Sequence, residues 1–102
     1  MMLRTTIASL ALVLFASSAH AADPDNGLRV AERWCASCHL VSASQRRAEA
    51  DVSTFAAIAK MPDFSAPRLA YFLLAPRPKM PDMSLSRRDA EDIAAYIATL
   101  RK

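Results

Sequence analysis

Cys35 and Cys38, the only cysteines of the chain, stand three residues apart, and His39 follows the second at once. This pentapeptide, Cys35-Ala36-Ser37-Cys38-His39, constrains the fold more than any other feature because the chain is short. At 102 residues there is room for one domain. Domains below roughly 70–80 residues rarely hold together on apolar burial alone and add a disulfide, a metal or another staple. A disulfide between positions 35 and 38 would close a trivial loop, so the staple has to be something the pentapeptide binds.

The N-terminus shortens the chain further. Arg4 is followed by no charge until Asp23, and a largely apolar block, Ile7 to Ala16, precedes Ser17-Ser18-Ala19-His20-Ala21. A basic start, a short apolar segment and an A-x-A site make a secretory signal peptide. A spanning helix needs about 20 apolar residues, roughly twice what this block supplies. Residues 1–21 are therefore expected to be removed after Ala21, leaving residues 22–102 as one exported, periplasmic domain.

Cleavage has two chemical consequences. Arg4 is the only charged residue of the leader, so the formal charge falls from +3 to +2. Such a balance is not the basic face that nucleic-acid binding requires. His20 is also lost, which leaves His39 as the only histidine and excludes any function needing two imidazoles.

C-x-x-C-H is the attachment signature of a c-type haem. Cysteines at i and i+3 lie on one side of a helical turn, so their sulfurs reach the two vinyl groups along one haem edge. The adjacent histidine then places its imidazole under the iron as proximal ligand. A structural zinc site wants four Cys/His ligands, and the mature chain has three. A thioredoxin-like pair belongs near a βαβ pattern, and no strand pattern is visible. One covalent haem c at Cys35 and Cys38 is the staple, and it also brings apolar mass to a small core.

The rest of the chain reads as helices. The first spans about Asp25 to Cys38, with Gly27, Val30, Ala31 and Trp34 on one face. A polar stretch without periodicity, Ser42 to Ala50, holds Arg46-Arg47. A short helix around Val52 to Lys60 presents Phe55, Ile58 and Ala59. A third runs from about Ser65 to Ala75, capped by Ser65, with Pro67 tolerated in its first turn. Because it is apolar nearly all round, it is expected to be buried on several sides. The last begins at Ser86, whose S-x-x-D with Asp89 resembles a capping box. Its apolar face is Ala90, Ile93, Ala94 and Ile97, and Arg101-Lys102 suit its C-terminal dipole end. The fold class is all-α.

Between the third and last helices, Ala75 to Met83 contains three prolines and reads as an extended strap. Three methionines follow the leader. Met61, at a helix end, is expected to be core filler. Met80 and Met83 both lie in the strap, and the residues alone leave either open as a second iron ligand.

From Gly27 to Leu100 the sequence resembles small bacterial class I cytochromes c. The haem motif near the mature N-terminus carries the likeness, as does Gly27, eight residues before Cys35, where the family crosses its first and last helices. Lys79-Met80-Pro81 looks like the family's axial-methionine loop, and Ile93-Ala94-Ala95-Tyr96-Ile97 like its terminal helix, with an aromatic packed at the crossing. The resemblance implies a small helical fold wrapped around one haem. It also implies Met80 as distal ligand, sixteen residues ahead of Tyr96 and just before a proline. One family feature is missing. Leu40-Val41-Ser42 stands where a Gly-Pro segment often supplies a carbonyl to the proximal imidazole.

The function this implies is a soluble single-electron carrier with His39/Met80 ligation, not an enzyme. It would dock transiently on redox-protein partners at the haem edge and meet a membrane only through a membrane-bound partner. Arg46-Arg47, Arg77, Lys79 and Arg87-Arg88 are the expected docking charges. Two alternatives stay open: an open-site haem enzyme or sensor, and a haem subunit of a larger respiratory or dehydrogenase complex.

Overall fold

The computed structural model describes residues 21–75 and 79–102. The expected leader up to His20, and Pro76, Arg77 and Pro78 of the strap, lie outside the described residues. Four helices follow one another: α1 (Pro24–Trp34), α2 (Phe55–Ala59), α3 (Ala66–Leu74) and α4 (Arg87–Thr99). No strand occurs among the described residues.

Each helix starts on a side-chain cap. Asp23 accepts from the N–H groups of Asp25 and Asn26 at the head of α1, with Pro24 in the first turn. Thr54, Ser65 and Ser86 accept from the N–H three residues on, at the heads of α2, α3 and α4. Each such cap offsets one of the donors that a helix start leaves unpaired, and is worth about 1 kcal/mol. The capping box at Ser86 is half formed. Ser86 accepts from the Asp89 N–H, but the Asp89 carboxylate turns away and accepts from Asn26 Nδ2 at 3.4 Å.

The scaffold is the crossing of α1 and α4. Gly27 is buried there, and a Cβ on it would fall on the Asp92 carbonyl oxygen, 2.5 Å from the Asp92 carbonyl carbon and 2.9 Å from the Ile93 nitrogen. Only a glycine lets the two backbones come this close. A polar clamp reinforces the contact. Buried Asp92 accepts from the Asp23 N–H at 2.7 Å and from Asn26 Nδ2 at 2.8 Å. The expected apolar face of α4 is buried in full: Ala90, Ile93, Ala94 and Ile97.

Several expectations need correction. α1 ends as a regular helix at Trp34, and residues 35–38 are turns. Helical bonding nonetheless runs through them, from the Cys35 N–H to Ala31 O and from the His39 N–H to Cys35 O, both 2.8 Å. Trp34 is 48% exposed rather than sharing the burial of Gly27 and Ala31. α2 starts at Phe55, not Val52, because Thr54 caps it, and Val52 is left exposed. α3 is not buried all round: Leu69 and Leu73 pack inward, whereas Tyr71 is 77% exposed and Leu74 is also exposed. α4 and the core cover one side of this helix only. Met61 is exposed, so it is not core filler. Arg101 lies beyond the end of α4, and its guanidinium sits 5.8 Å from the Phe64 ring centroid.

Candidate haem-binding site

The pentapeptide sits where α1 unwinds against the core. Cys35 is buried among Ala31, Val41, Phe55, Ile93, Tyr96 and Ile97, while Cys38 is exposed, and neither thiol is in a disulfide. Burial, with the charge of Cys38 adding to it, pushes the Cys35 thiol up to about 11. An unattached Cys35 is therefore a protonated thiol at neutral pH.

His39 is held through its own ring. Its Nδ1 lies 2.6 Å from the carbonyl oxygen of Ser53. A carbonyl can only accept, so Nδ1 carries a proton, and the neutral ring then has its lone pair on Nε2, the arrangement a metal-ligating imidazole needs. Ser53 is thus the acceptor that could not be named from sequence. It lies fourteen residues downstream, at a position expected inside the second helix but left ahead of it by the Thr54 cap. Two backbone bonds bring it there, from the Glu49 N–H to Ser37 O at 2.7 Å and from the Phe55 N–H to Leu40 O at 3.0 Å.

Gln45 is a second residue the sequence reading missed. Its Nε2 is within bonding distance of three carbonyls, Ala36 at 2.6 Å, His39 at 3.0 Å and Arg47 at 3.1 Å, and its Oε1 accepts from the Val41 N–H at 2.9 Å. One amide thus ties the loop after His39 to the motif. Nothing in Ser42-Ala43-Ser44-Gln45 announces it, because a lone glutamine in a polar stretch looks solvated. Tyr96 closes the other side: its ring packs 6.5 Å from Phe55, and its hydroxyl donates to Val41 O at 2.5 Å. The expected terminal-helix aromatic therefore stands against the motif loop, one turn beyond the Asp92–Ile93 crossing.

Met80 and Met83 line one cavity of about 210 Å³ with Phe72, Leu73, Leu74 and Leu85. Both are half-buried, and Met83 also packs on the core cluster that includes Cys35. Cys35, Cys38 and His39 do not line that cavity. Just past Met83, Ser84 takes a left-handed φ of 49° and its N–H donates to Asp82 Oδ1 at 2.9 Å. Two unpaired thiols at i and i+3, an adjacent imidazole with Nε2 as its lone-pair nitrogen and two thioethers in the strap are a donor set that fits a covalently attached haem.

Over 92 residues the chain is 56% identical to cytochrome c-552 of Bradyrhizobium diazoefficiens, covering 90% of this chain and 88% of that one. The chain belongs to the small c-type cytochromes. Its four helices, with no strand among the described residues, agree with the class I fold. Membership of this family carries one covalently attached haem c. No protein-family model matches the chain, and no solved structure matches it.

Proposed function

We propose that this cytochrome is a soluble, periplasmic single-electron carrier, residues 22–102 after removal of a leader, with thioether bonds at Cys35 and Cys38 and axial ligands His39 and Met80. The observation that carries the reading is the 2.6 Å contact from His39 Nδ1 to Ser53 O, on the turn that bears both unpaired thiols. The bound haem supplies reversible one-electron exchange at iron. The protein's own residues do the rest. Cys35 and Cys38 would hold the haem edge, the Ser53 carbonyl holds the His39 proton on Nδ1, and Met80 would be the second ligand to the iron. With His39 and Met80 both given to the iron, no position would be left for a substrate, which is the ground for reading a carrier rather than an enzyme.

The ligand assignment is tested by the oxidised spectrum. Met80→Ala loses the sulfur-to-iron charge-transfer band and lets the iron bind added ligands, while Met83→Ala keeps the band. The reverse pattern moves the ligand to Met83, and no change in either variant means an open site. The mass of the mature protein is expected to equal residues 22–102 plus one haem that acid-organic extraction does not remove.

Partners meet the protein at the haem edge. Arg46, Arg47 and Lys79 are exposed, and none is in an ion pair among the described residues. Arg47 shares an opening with Ala36 and Ser37 of the motif. Arg87 faces elsewhere, into a groove with Tyr71 and Leu74. Contacts between electron carriers are small and transient, and charge chiefly sets their encounter rate. Reduction by an acidic partner therefore slows as salt rises, and slows further in an Arg77→Glu/Lys79→Glu variant with an unchanged spectrum. A salt-independent rate would place the docking face elsewhere.

A further inference from the structure

We infer that Phe55 is a positioning residue for the iron's proximal ligand: by holding the His39 ring on the Ser53 carbonyl it sets the reduction potential. The inference rests on the proximal role proposed for His39. Phe55 is 4% exposed, and its ring lies 5.5 Å from the His39 ring, centroid to centroid, at 49°. Tyr96 backs it on α4, 6.5 Å away, and is itself anchored to Val41 O. The Phe55 N–H is fixed on Leu40 O, the residue after His39, and Thr54 caps α2 between Ser53 and Phe55. The acceptor carbonyl and the ring that confines the imidazole are thus two residues apart on one pinned segment.

That arrangement has an electronic consequence. At 2.6 Å the Nδ1–H···O contact is a close hydrogen bond. Donation from Nδ1–H raises the basicity of Nε2, and hydrogen bonding beyond the ligand is one of the protein's levers on haem potential. A more basic Nε2 favours ferric over ferrous iron and lowers the potential. His39 is only half-buried, so water competes for Nδ1–H once the ring is free to turn. The packed Phe55 ring prevents that turn.

The test uses the holoprotein. Phe55→Leu keeps an apolar core residue but removes the flat ring, and Phe55→Met does so with a long flexible side chain, covering the case in which the leucine variant fails to accumulate. Ile97→Val, in the same core but outside the ring contact, controls for lost packing alone. The readouts are the midpoint potential by spectroelectrochemistry and exchange of the proximal Nδ1–H with solvent by NMR. Both Phe55 variants should keep a low-spin spectrum, show a higher potential and exchange Nδ1–H at least tenfold faster, whereas Ile97→Val loses stability with neither change. A potential and exchange rate in the Phe55 variants equal to those of Ile97→Val would overturn the positioning role. A separate arm guards the premise: His39→Ala should abolish the low-spin spectrum, and a low-spin iron surviving that change would refute the proximal reading and the inference with it.

Discussion

Replacing Gly27 by alanine adds one methyl group at the place where this fold is least able to accept it. The added Cβ would meet Asp92 O, Asp92 C and Ile93 N, all of them backbone atoms of α4, where ordinary contact needs 3.4 Å or more. No side chain can swing aside, so α1 and α4 must part by about an ångström. Alanine gains about 1 kcal/mol of helix propensity over glycine. Against that, overpacking costs about 1–3 kcal/mol, and the upper end applies where only backbone can yield. Parting the helices also stretches the Asp92 bonds to Asp23 N and Asn26 Nδ2, for about 1 kcal/mol more. The net destabilisation is about 3 kcal/mol, a large share of the roughly 5–15 kcal/mol that stabilises a typical domain. For a domain of this size that lowers Tm by about 12–24 °C. Guanidinium and thermal unfolding of the ferric holoprotein, followed by far-UV circular dichroism, measure it. A midpoint equal to or above that of the parent protein would mean that α1 and α4 do not approach as described.

Three further outcomes are expected. Asp92→Asn presents an amide to two donors inside the clamp and should destabilise by about 1–3 kcal/mol, read from the denaturant midpoint at unchanged haem content. Tyr96→Phe strips the donor from buried Val41 O at a similar cost, and it also changes the pH dependence. Burial, with a smaller contribution from Glu32, raises the Tyr96 phenol above its ordinary value of 10. The neutral form is thus favoured in the folded state: its contribution is fully present below pH 10 and is lost as pH rises through the folded value. Melts from pH 9 upward should therefore fall less steeply in Tyr96→Phe than in the parent. Gln45→Glu turns an acceptor toward the carbonyls of Ala36, His39 and Arg47, and limited trypsin digestion should cut after Arg46 and Arg47 several-fold faster.

Much of this was legible along the chain because it is local. A cap is a side chain and an N–H three residues apart, so Ser65 and Ser86 could be placed without coordinates, and the period of α4 named its buried face correctly. The pentapeptide is legible for the same reason, since its chemistry needs only residues one turn apart. Gly27 is the exception that confirms the physics. As the only glycine of the chain, inside a helix where it costs stability, it called for a close neighbour, and the backbone of Asp92 and Ile93 is that neighbour.

What resisted reading was long-range. Tyr71 and Leu74 are apolar like Leu69 and Leu73, and only the side on which α4 packs separates exposed from buried. The acceptor for His39 is a backbone carbonyl, which every residue possesses, so no residue type marks Ser53 for the role. Gln45 is the same case in reverse, an ordinary side chain made structural by where three carbonyls converge. The sequence by itself determined that there are four helices, the caps Ser65 and Ser86, the thiol–imidazole turn and the glycine at the crossing, because spacing of a few residues dictates each. Only the tertiary structure decided what surrounds His39, because the bonds from Glu49 to Ser37 and from Phe55 to Leu40 fold a patternless segment back onto the motif, and backbone groups that pair across such distances leave no trace in residue identity.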